Sequence, residues 1–372
     1  MATLEDIGKR TGCSAATISR ILNNSAPVSK ETRDVVMREI KRMGYRHRTR
    51  RRRAQNVASS PDTIDIIMSW HSPENRLHKG HDHLKLCSED LSLDQAKKDP
   101  FKVGFGFFRH IVDGIVEELA EFKLKAALQV VDTLNKPKVM LDLNRISTRG
   151  VLLMGSYDMN PASIVENCTR PLVLIDLVVD SWPDVVTIDN AGGIQQGFQH
   201  LRALGHEDIG FVSYALNPAY QEREEAFQVC MISEGLTLRE EWFFEGAIDI
   251  EHSADGIEKI LQRSERPTAF MCACDYAAMG VIRAAGRCGI SVPEELSVVG
   301  FDDSDVAMLV TPALTTIHVP ALQMGRQAVR QLLMCEDVTG DFRQERGCEI
   351  RVKTKLVERQ STGPRLKLAM CT

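Results

Sequence analysis

Residues 14–20 read Ser-Ala-Ala-Thr-Ile-Ser-Arg, a run of small hydrogen-bonding side chains that ends in a guanidinium. Ala15 and Ala16 are short enough to let a backbone approach another surface closely. Ser14, Thr17 and Ser19 carry hydroxyls of the right size to reach phosphate oxygens, with Asn23 as a further polar candidate on the same segment. Arg20 presents a planar fork that can donate two hydrogen bonds to guanine O6 and N7. Further on, Arg50, Arg51, Arg52 and Arg53 stand in a row and are followed by Ala54. Four adjacent cations suit a phosphate backbone or a narrow minor groove, and non-specific attraction would serve them equally. A third set, His71, His78, His81, His83 and Cys87, lies in the polar stretch 70–102. These are transition-metal ligand types. Their spacing fits no closed structural site, so the stretch reads as a surface insertion, a lid or a partner-contact loop. No metal or other cofactor is expected. For an enzyme the sequence offers little: no GxGxxG follows a strand, and no P-loop, GxSxG elbow or HExxH is present. His110, His200, His206, His252 and His318 are isolated and read as structural or exposed.

The first candidate residues need a helix to present them. Leu4, Ile7 and Gly8 are spaced one turn apart, and Thr11-Gly12-Cys13 breaks that pattern. Ser14 is then a good N-cap for a second helix to about Asn23, with Ile18, Ile21 and Leu22 on one face. A third segment from Ser29 carries Val35, Val36, Ile40 and Met43 at helical spacing and stops at Gly44. Two short helices, a glycine turn and a supporting third helix make a helix-turn-helix unit over residues 1–45. The same pattern also fits a small helical bundle that binds nothing. Residues 46–62 read as an arginine-rich linker.

From residue 63 on, apolar runs such as IDIIM, KAALQVVD, GVLLMG, LVLID, DIGFVSY, TAFMCAC and LSVVGFD read as buried parallel strands. Helical stretches lie between them, among them FFRHIVDGIVEELAEF, in which Phe108, Ile111, Ile115 and Leu119 share a face. Alternating strands and helices predict doubly wound α/β sheets. The strands are too many for one lobe, so two similar lobes are expected. Ligands of such sheets bind at the carboxyl ends of the strands, here in the crevice between lobes.

Charge supports this division. The 372 residues carry a net −5, but residues 1–53 hold 14 Lys/Arg against 5 Asp/Glu, or +9, which leaves −14 for the rest. A basic head on an acidic body suits nucleic-acid binding, although basic termini are often only solvated tails. The ten cysteines form no CxxC pair and are expected to be reduced and mostly buried. The N-terminus has no apolar signal core and no run reaches membrane-spanning length, so a cytoplasmic protein is expected.

The stretch TLEDIGKRTGCSAATISRILNNSAPVSKETRDVVMREIKRMGY resembles the DNA-binding head of the lactose-repressor (LacI/GalR) family throughout. The likeness continues through VTIDNAGG, HLRALGHEDIGFV, Arg223–Phe227, PTAFMCACDYAAMG, GISVPEELSVVGFDD, PALTTIHVP and MGRQAVRQLL, and leaves out only 70–102. It implies an all-α helix-turn-helix head on two doubly wound lobes of periplasmic-binding-protein type. The first lobe would hold about 63–189 and 320–347, the second about 190–317 and 348–360. It also implies a repressor that binds a pseudo-palindromic operator as a homodimer and answers a small-molecule effector, a sugar or related metabolite. In the head, Ser14, Ala15, Ala16, Thr17, Ser19, Arg20 and Asn23 would face DNA. In the connector Arg50–Arg53 and Ala54 would do so. Ala54 stands where the family has a wedging leucine, and His47 where it has a proline, which weakens that wedge. Arg223 and Asp302 match the family's effector-binding arginine and aspartate. Phe108 would offer an apolar face from the other lobe, or serve as a core residue. Ile248 stands near a stacking aromatic of several relatives, which disfavours a flat-ring ligand.

Overall fold

Short β-branched runs bounded by Gly, Asp and Pro have no stable state as isolated strands. They are stabilised by pairing, with helices covering both faces of the sheet. The computed structural model shows this for residues 62–69, 105–131, 148–155, 162–177, 183–213, 218–245, 250–336 and 347–365, and describes residues 4–14, 17–18 and 30–42 in the head. The chain divides into two units, 1–59 and 60–372.

In the head, helix α1 (Leu4–Thr11) ends where Gly12 takes a φ of 68°. A Cβ on Gly8 would lie 2.7 Å from the Cys13 carbonyl oxygen, so the turn folds back on α1 only over a glycine. The Ser14 Oγ accepts a hydrogen bond from the Thr17 amide at 3.1 Å, which is the expected N-cap. Ile7, Ile18 and Val36, the last from α2 (Lys30–Arg42), are fully buried. Val35 is exposed, although the sequence placed it with Val36. Consecutive helical residues point about 100° apart, and only one of the pair can face the core.

In the body, β1 (Thr63–Ser69), β2 (Lys125–Val131), β3 (Val151–Met154), β4 (Leu172–Ile175), β5 (Asp184–Ile188) and a late strand, β11 (Glu349–Val352), form one sheet. Its order is β11-β5-β4-β3-β1-β2 and every pair is parallel. The second sheet contains β6 (Ile209–Val212), β7 (Phe243–Phe244), β8 (Ala269–Cys272), β9 (Ser297–Asp302), β10 (Thr315–His318) and β12 (Lys355–Val357). Its order is β12-β10-β9-β8-β6-β7, with β12 antiparallel to β10. Both sheets reverse winding direction beside their first strand, between β1 and β3 and between β6 and β8, which defines a switch point in each.

The first lobe is covered by α3 (Phe105–Glu121), α4 (Ala162–Asn167) and α10 (Ala321–Glu336). The second has α5 (Asn190–Ala203), α6 (Pro218–Ser233), α7 (Ile250–Leu261), α8 (Asp275–Arg287) and the short α9 (Val306–Leu309). Phe108, Ile111, Ile115 and Leu119 are all buried, as the periodicity of α3 predicts. Helices α3 and α10 touch backbone to backbone: a Cβ on Gly114 would lie 2.0 Å from the Leu322 carbonyl oxygen, and one on Gly325 2.1 Å from that of Ile111. Among the described residues no helix is long and apolar enough to cross a membrane.

The chain passes between lobes at Asp189, at Val319–Pro320 and at Lys353–Thr354. These passages are tied together: the Asp189 amide donates to the Val352 carbonyl at 3.0 Å, and Gln196 Nε2 donates to the Thr354 carbonyl at 3.3 Å. The sequence reading assigned 348–360 to the second lobe. The structure gives 349–352 to the first sheet, through the pairing of Glu349–Val352 with Val185–Ile188, and only the residues after Thr354 to the second. A four-residue strand carries no signal for which of two similar sheets it joins.

Candidate functional site

Arg223 projects from α6 and is 2% exposed. A guanidinium buried this deeply must have its donors and its charge satisfied. Its Nη1 donates to Asp302 Oδ1 at 3.1 Å and to the Ala273 carbonyl at 2.6 Å, and its Nε donates to Asn190 Oδ1 at 2.8 Å. Its plane lies over the Phe301 ring, 3.7 Å from the centroid. Asn190, the first residue of α5, passes the network on: its Nδ2 donates to Glu222 Oε2 at 2.8 Å. The two residues matched on Arg223–Phe227 and GFDD therefore meet as an ion pair, at the carboxyl ends of β8 and β9.

Asp302 holds its carboxylate there with a φ of 107°, and Asp303 follows with 54°, both in the left-handed region. Such a backbone persists only when its surroundings over-determine it. Here Arg359 Nη2 donates to Asp303 Oδ1 at 2.6 Å, and His318 Nδ1 lies 2.9 Å from Asp303 Oδ2. Burial raises the Asp302 carboxyl, and Arg223 only partly pulls it back.

From the first lobe comes a residue that sequence reading passed over. Asp176 follows β4, has a φ of 56° and acts electrostatically on Arg223, Glu222 and Asp302. Burial pushes its carboxyl up to about 6, with Arg223 opposing. In the sequence it is only the last residue of LVLID, no different from any polar strand end. Its left-handed φ and its convergence on Arg223 are visible only in three dimensions.

Behind the ion pair, Asp275 is fully buried at the start of α8. It accepts from Thr316 Oγ1 at 2.5 Å, from the Ser304 amide at 2.7 Å and from Ser304 Oγ at 2.8 Å. Burial, then the charge of Asp302, pushes its carboxyl up to about 8, against the pull of those donors. Burial and then Asp302 push the neighbouring Cys274 thiol up to about 12, so it is a protonated wall residue and no thiolate nucleophile.

Among the described residues two side-chain contacts cross from lobe to lobe: His110 Nε2 lies 3.4 Å from Asp305 Oδ1, and Arg351 Nη1 pairs with Glu222 Oε1 at 3.5 Å. His110 was expected to be isolated. Of the other histidines, His206 is buried between Thr268 Oγ1 and the Gly363 carbonyl, and His200 contacts Thr362 Oγ1, both pinning the chain's end to the second lobe. Phe108 lies in the core, edge-on to Phe107. The reduced-thiol reading is only partly matched by burial: Cys168, Cys272 and Cys274 are buried, while Cys348 is exposed. No group of metal-binding side chains occurs among the described residues. The 70–102 insertion lies outside them, as do Ile248, Ala15, Ala16, Ser19, Arg20, Asn23, Arg50, Arg51, Arg52, Arg53 and Ala54. Ser14 and Thr17 are in place at the start of the second head helix.

Comparison with known proteins places this architecture. Residues 3–47 match the model of bacterial regulatory proteins of the lacI family, and residues 198–362 that of the periplasmic binding protein-like domain. That head and that body, in this order on one chain, support a regulator of the LacI/GalR family. It is 29% identical over 338 residues to the HTH-type transcriptional repressor PurR of Haemophilus influenzae (strain PittEE), covering 90% of each chain. It is 27% identical over 372 residues to the NTD biosynthesis operon regulator NtdR of Bacillus subtilis (strain 168), covering 97% of this chain and 100% of that one. Among solved structures it resembles a CelR–cellobiose complex, with a TM-score of 0.66 at 24% identity, covering 97% of this chain and 100% of that one. It also resembles a lac repressor dimer bound to operator and an anti-inducer, with a TM-score of 0.64 at 21% identity, covering 97% and 99%. At these identities the structures show the shared fold.

Proposed function

We propose that this protein is a transcriptional repressor whose head reads a pseudo-palindromic operator as a homodimer in the cytoplasm, and whose affinity for that operator is set by a small molecule held between the lobes. The observation that carries the effector reading is the Arg223–Asp302 ion pair at the strand ends, its guanidinium buried, with Asp176 of the other lobe acting on it electrostatically. A fork of donors beside two acceptors suits a polyhydroxylated ligand such as a sugar or related metabolite. The names of similar proteins support both halves: a repressor, an operator-bound dimer, and complexes with cellobiose and with ribose. In the head, Ser14, Thr17 and Ser19 position the second helix on phosphates. Arg20 reads a base edge, with Ala15 and Ala16 allowing close approach and Asn23 beside them. Arg50–Arg53 track the backbone or minor groove at the operator centre, and Ala54 replaces a wedge.

A ligand changes operator affinity only by binding one lobe arrangement better than the other. The deciding experiment joins the two halves. Operator is selected from random DNA with the full-length protein, and sugars and purines are then screened for their effect on the gel shift. A compound should alter binding of the wild type and leave Asp302→Ala bound to the same operator but unresponsive. A dose response in Asp302→Ala equal to that of the wild type refutes the site; failure to enrich any operator refutes the repressor.

A further inference from the structure

Asp184, the first residue of β5, gathers two cysteines around one carboxylate. Cys335 Sγ, near the end of α10, donates to its Oδ2 at 3.2 Å, and the Cys348 amide donates to its Oδ1 at 2.6 Å. Gln331 Nε2, one turn before Cys335, donates to the same Oδ2 at 2.7 Å. Strand register orients the second thiol. Glu349 is paired with Val185, so Cys348 stands one step back, beside Asp184, and its carbonyl accepts from the Val185 amide at 2.9 Å. Neighbours in register on parallel strands turn their side chains to the same face of a sheet. The Asp184 side chain is on the α10 face, since it reaches Gln331 and Cys335 there. The register therefore turns Cys348 toward the helix end that carries Cys335. Cys348 is exposed and Cys335 half-buried, so an oxidant in solution meets Cys348 first.

We propose that Cys335 and Cys348 are a site of reversible oxidative modification, closing to an intramolecular disulfide when the protein meets hydrogen peroxide. The Cys348 sulfur attacks the peroxide: an S–O bond forms and the O–O bond breaks. The departing oxygen takes the thiol proton, which leaves a sulfenic acid and water. Cys335 then turns from Asp184 to the Cys348 sulfur. The S–S bond forms, the S–O bond breaks, and the departing hydroxide becomes water with the Cys335 proton, relayed by the carboxylate to which it is already donated. Two thiols lose two electrons, and one peroxide is reduced to two waters. Asp184 keeps the Gln331 and Cys348 donors throughout. The bond joins the end of α10 to the start of β11, the edge strand that runs on into the Lys353–Thr354 passage. In a reducing compartment such bonds are transient and serve to sense oxidants.

The test exposes the full-length protein to hydrogen peroxide, blocks the remaining thiols with iodoacetamide and digests with trypsin without reductant. Cleavage at Arg330, Arg343, Arg346 and Arg351 puts the two cysteines on separate peptides, 331–343 and 347–351, which only a cross-link holds together. The two should be found joined, two hydrogens lighter than their sum, and dithiothreitol should part them. Cys335→Ser, whose hydroxyl still serves Asp184, should instead leave Cys348 as a sulfenic acid that dimedone, added with the peroxide, traps. The proposal falls if both wild-type peptides emerge alkylated, if Cys348 is oxidised while Cys335 takes iodoacetamide, or if Cys348 pairs with another cysteine. A Cys335→Ser protein in which Cys348 remains a plain thiol refutes its role as the attacking sulfur.

Discussion

Asp275→Asn isolates one buried proton. The carboxyl is fully buried, has no cation, and takes three hydrogen bonds, from Thr316 and Ser304. Its native value of about 8 lies above the 3.8 at which it ionises in the unfolded chain. Between pH 5 and 7 the native state therefore holds a proton that the unfolded state has released. With more protons on the native side, stability falls as pH rises, by about 1.4 kcal/mol per pH unit for one proton. Across those two units the loss assigned to Asp275 is about 2.7 kcal/mol. It begins near the unfolded value and is complete above the native one. The asparagine keeps the shape, accepts from Ser304 and donates to Thr316, but has no proton to lose. Urea unfolding of both proteins at pH 5, 6 and 7 reads the difference. Asp176 and Asp302 remain in both proteins, and Asp302, whose charge acts on Asp275, contributes to the difference with it. The wild type should lose about 2.7 kcal/mol more than Asp275→Asn over this range. Parallel profiles would mean that the three donors keep Asp275 ionised throughout, and the argument from burial would be wrong.

At the α3–α10 seam, Gly114→Ala and Gly325→Ala should each destabilise the body by about 1–3 kcal/mol, because each Cβ would sit on a carbonyl oxygen. A melting temperature equal to or above that of the wild type would show that the seam yields, since alanine favours a helix by about 1 kcal/mol. In the head, Arg20→Ala should weaken operator binding by about 1–3 kcal/mol and relax specificity at one base pair; an equal loss on operator and random DNA would reduce Arg20 to a phosphate contact. Replacing Arg50–Arg53 with serine should flatten the dependence of log affinity on log salt, measured by fluorescence anisotropy, because fewer counterions are released. An unchanged slope would place those arginines off the DNA.

What the sequence made legible follows from how local each signal is. The Ser14 cap, the Gly12 break and the apolar face of α3 depend on neighbours within a turn, and they stand as read. The seven apolar runs appear as strands, six trimmed by one to three residues and IDIIM extended by one at each end, because pairing and not composition sets where a strand stops. The meeting of Arg223 and Asp302 came from resemblance alone, since nothing in the spacing of two residues 79 apart indicates contact. Asp176 was missed for the same reason. His110 shows the converse: it has no partner in sequence, yet its bond to Asp305 spans the two lobes. The edge strand β11 went to the wrong lobe because four residues alternating charged and apolar carry no signal for which sheet they join.

The three lobe-to-lobe passages also govern the order in which the molecule can be made. The first lobe lacks α10 and the edge strand β11 until residues 321–352 exist, and the second lacks β12 until 355–357. The second lobe further needs Ser361, whose carbonyl accepts from the Val298 amide at 2.8 Å and whose hydroxyl accepts from the Thr315 amide at 2.8 Å. Neither lobe is a contiguous stretch, and neither can finish before residues 349–361 have been made. Both wait for these segments, the first lobe with a sheet face uncovered and the second with the β10 edge unpaired. Non-local closure of this kind is slow and exposes aggregation-prone surface. The same passages that let two lobes close on a ligand therefore tie their folding into one late event, so that a ribosome stalled before residue 349 would leave two incomplete lobes and not one finished one.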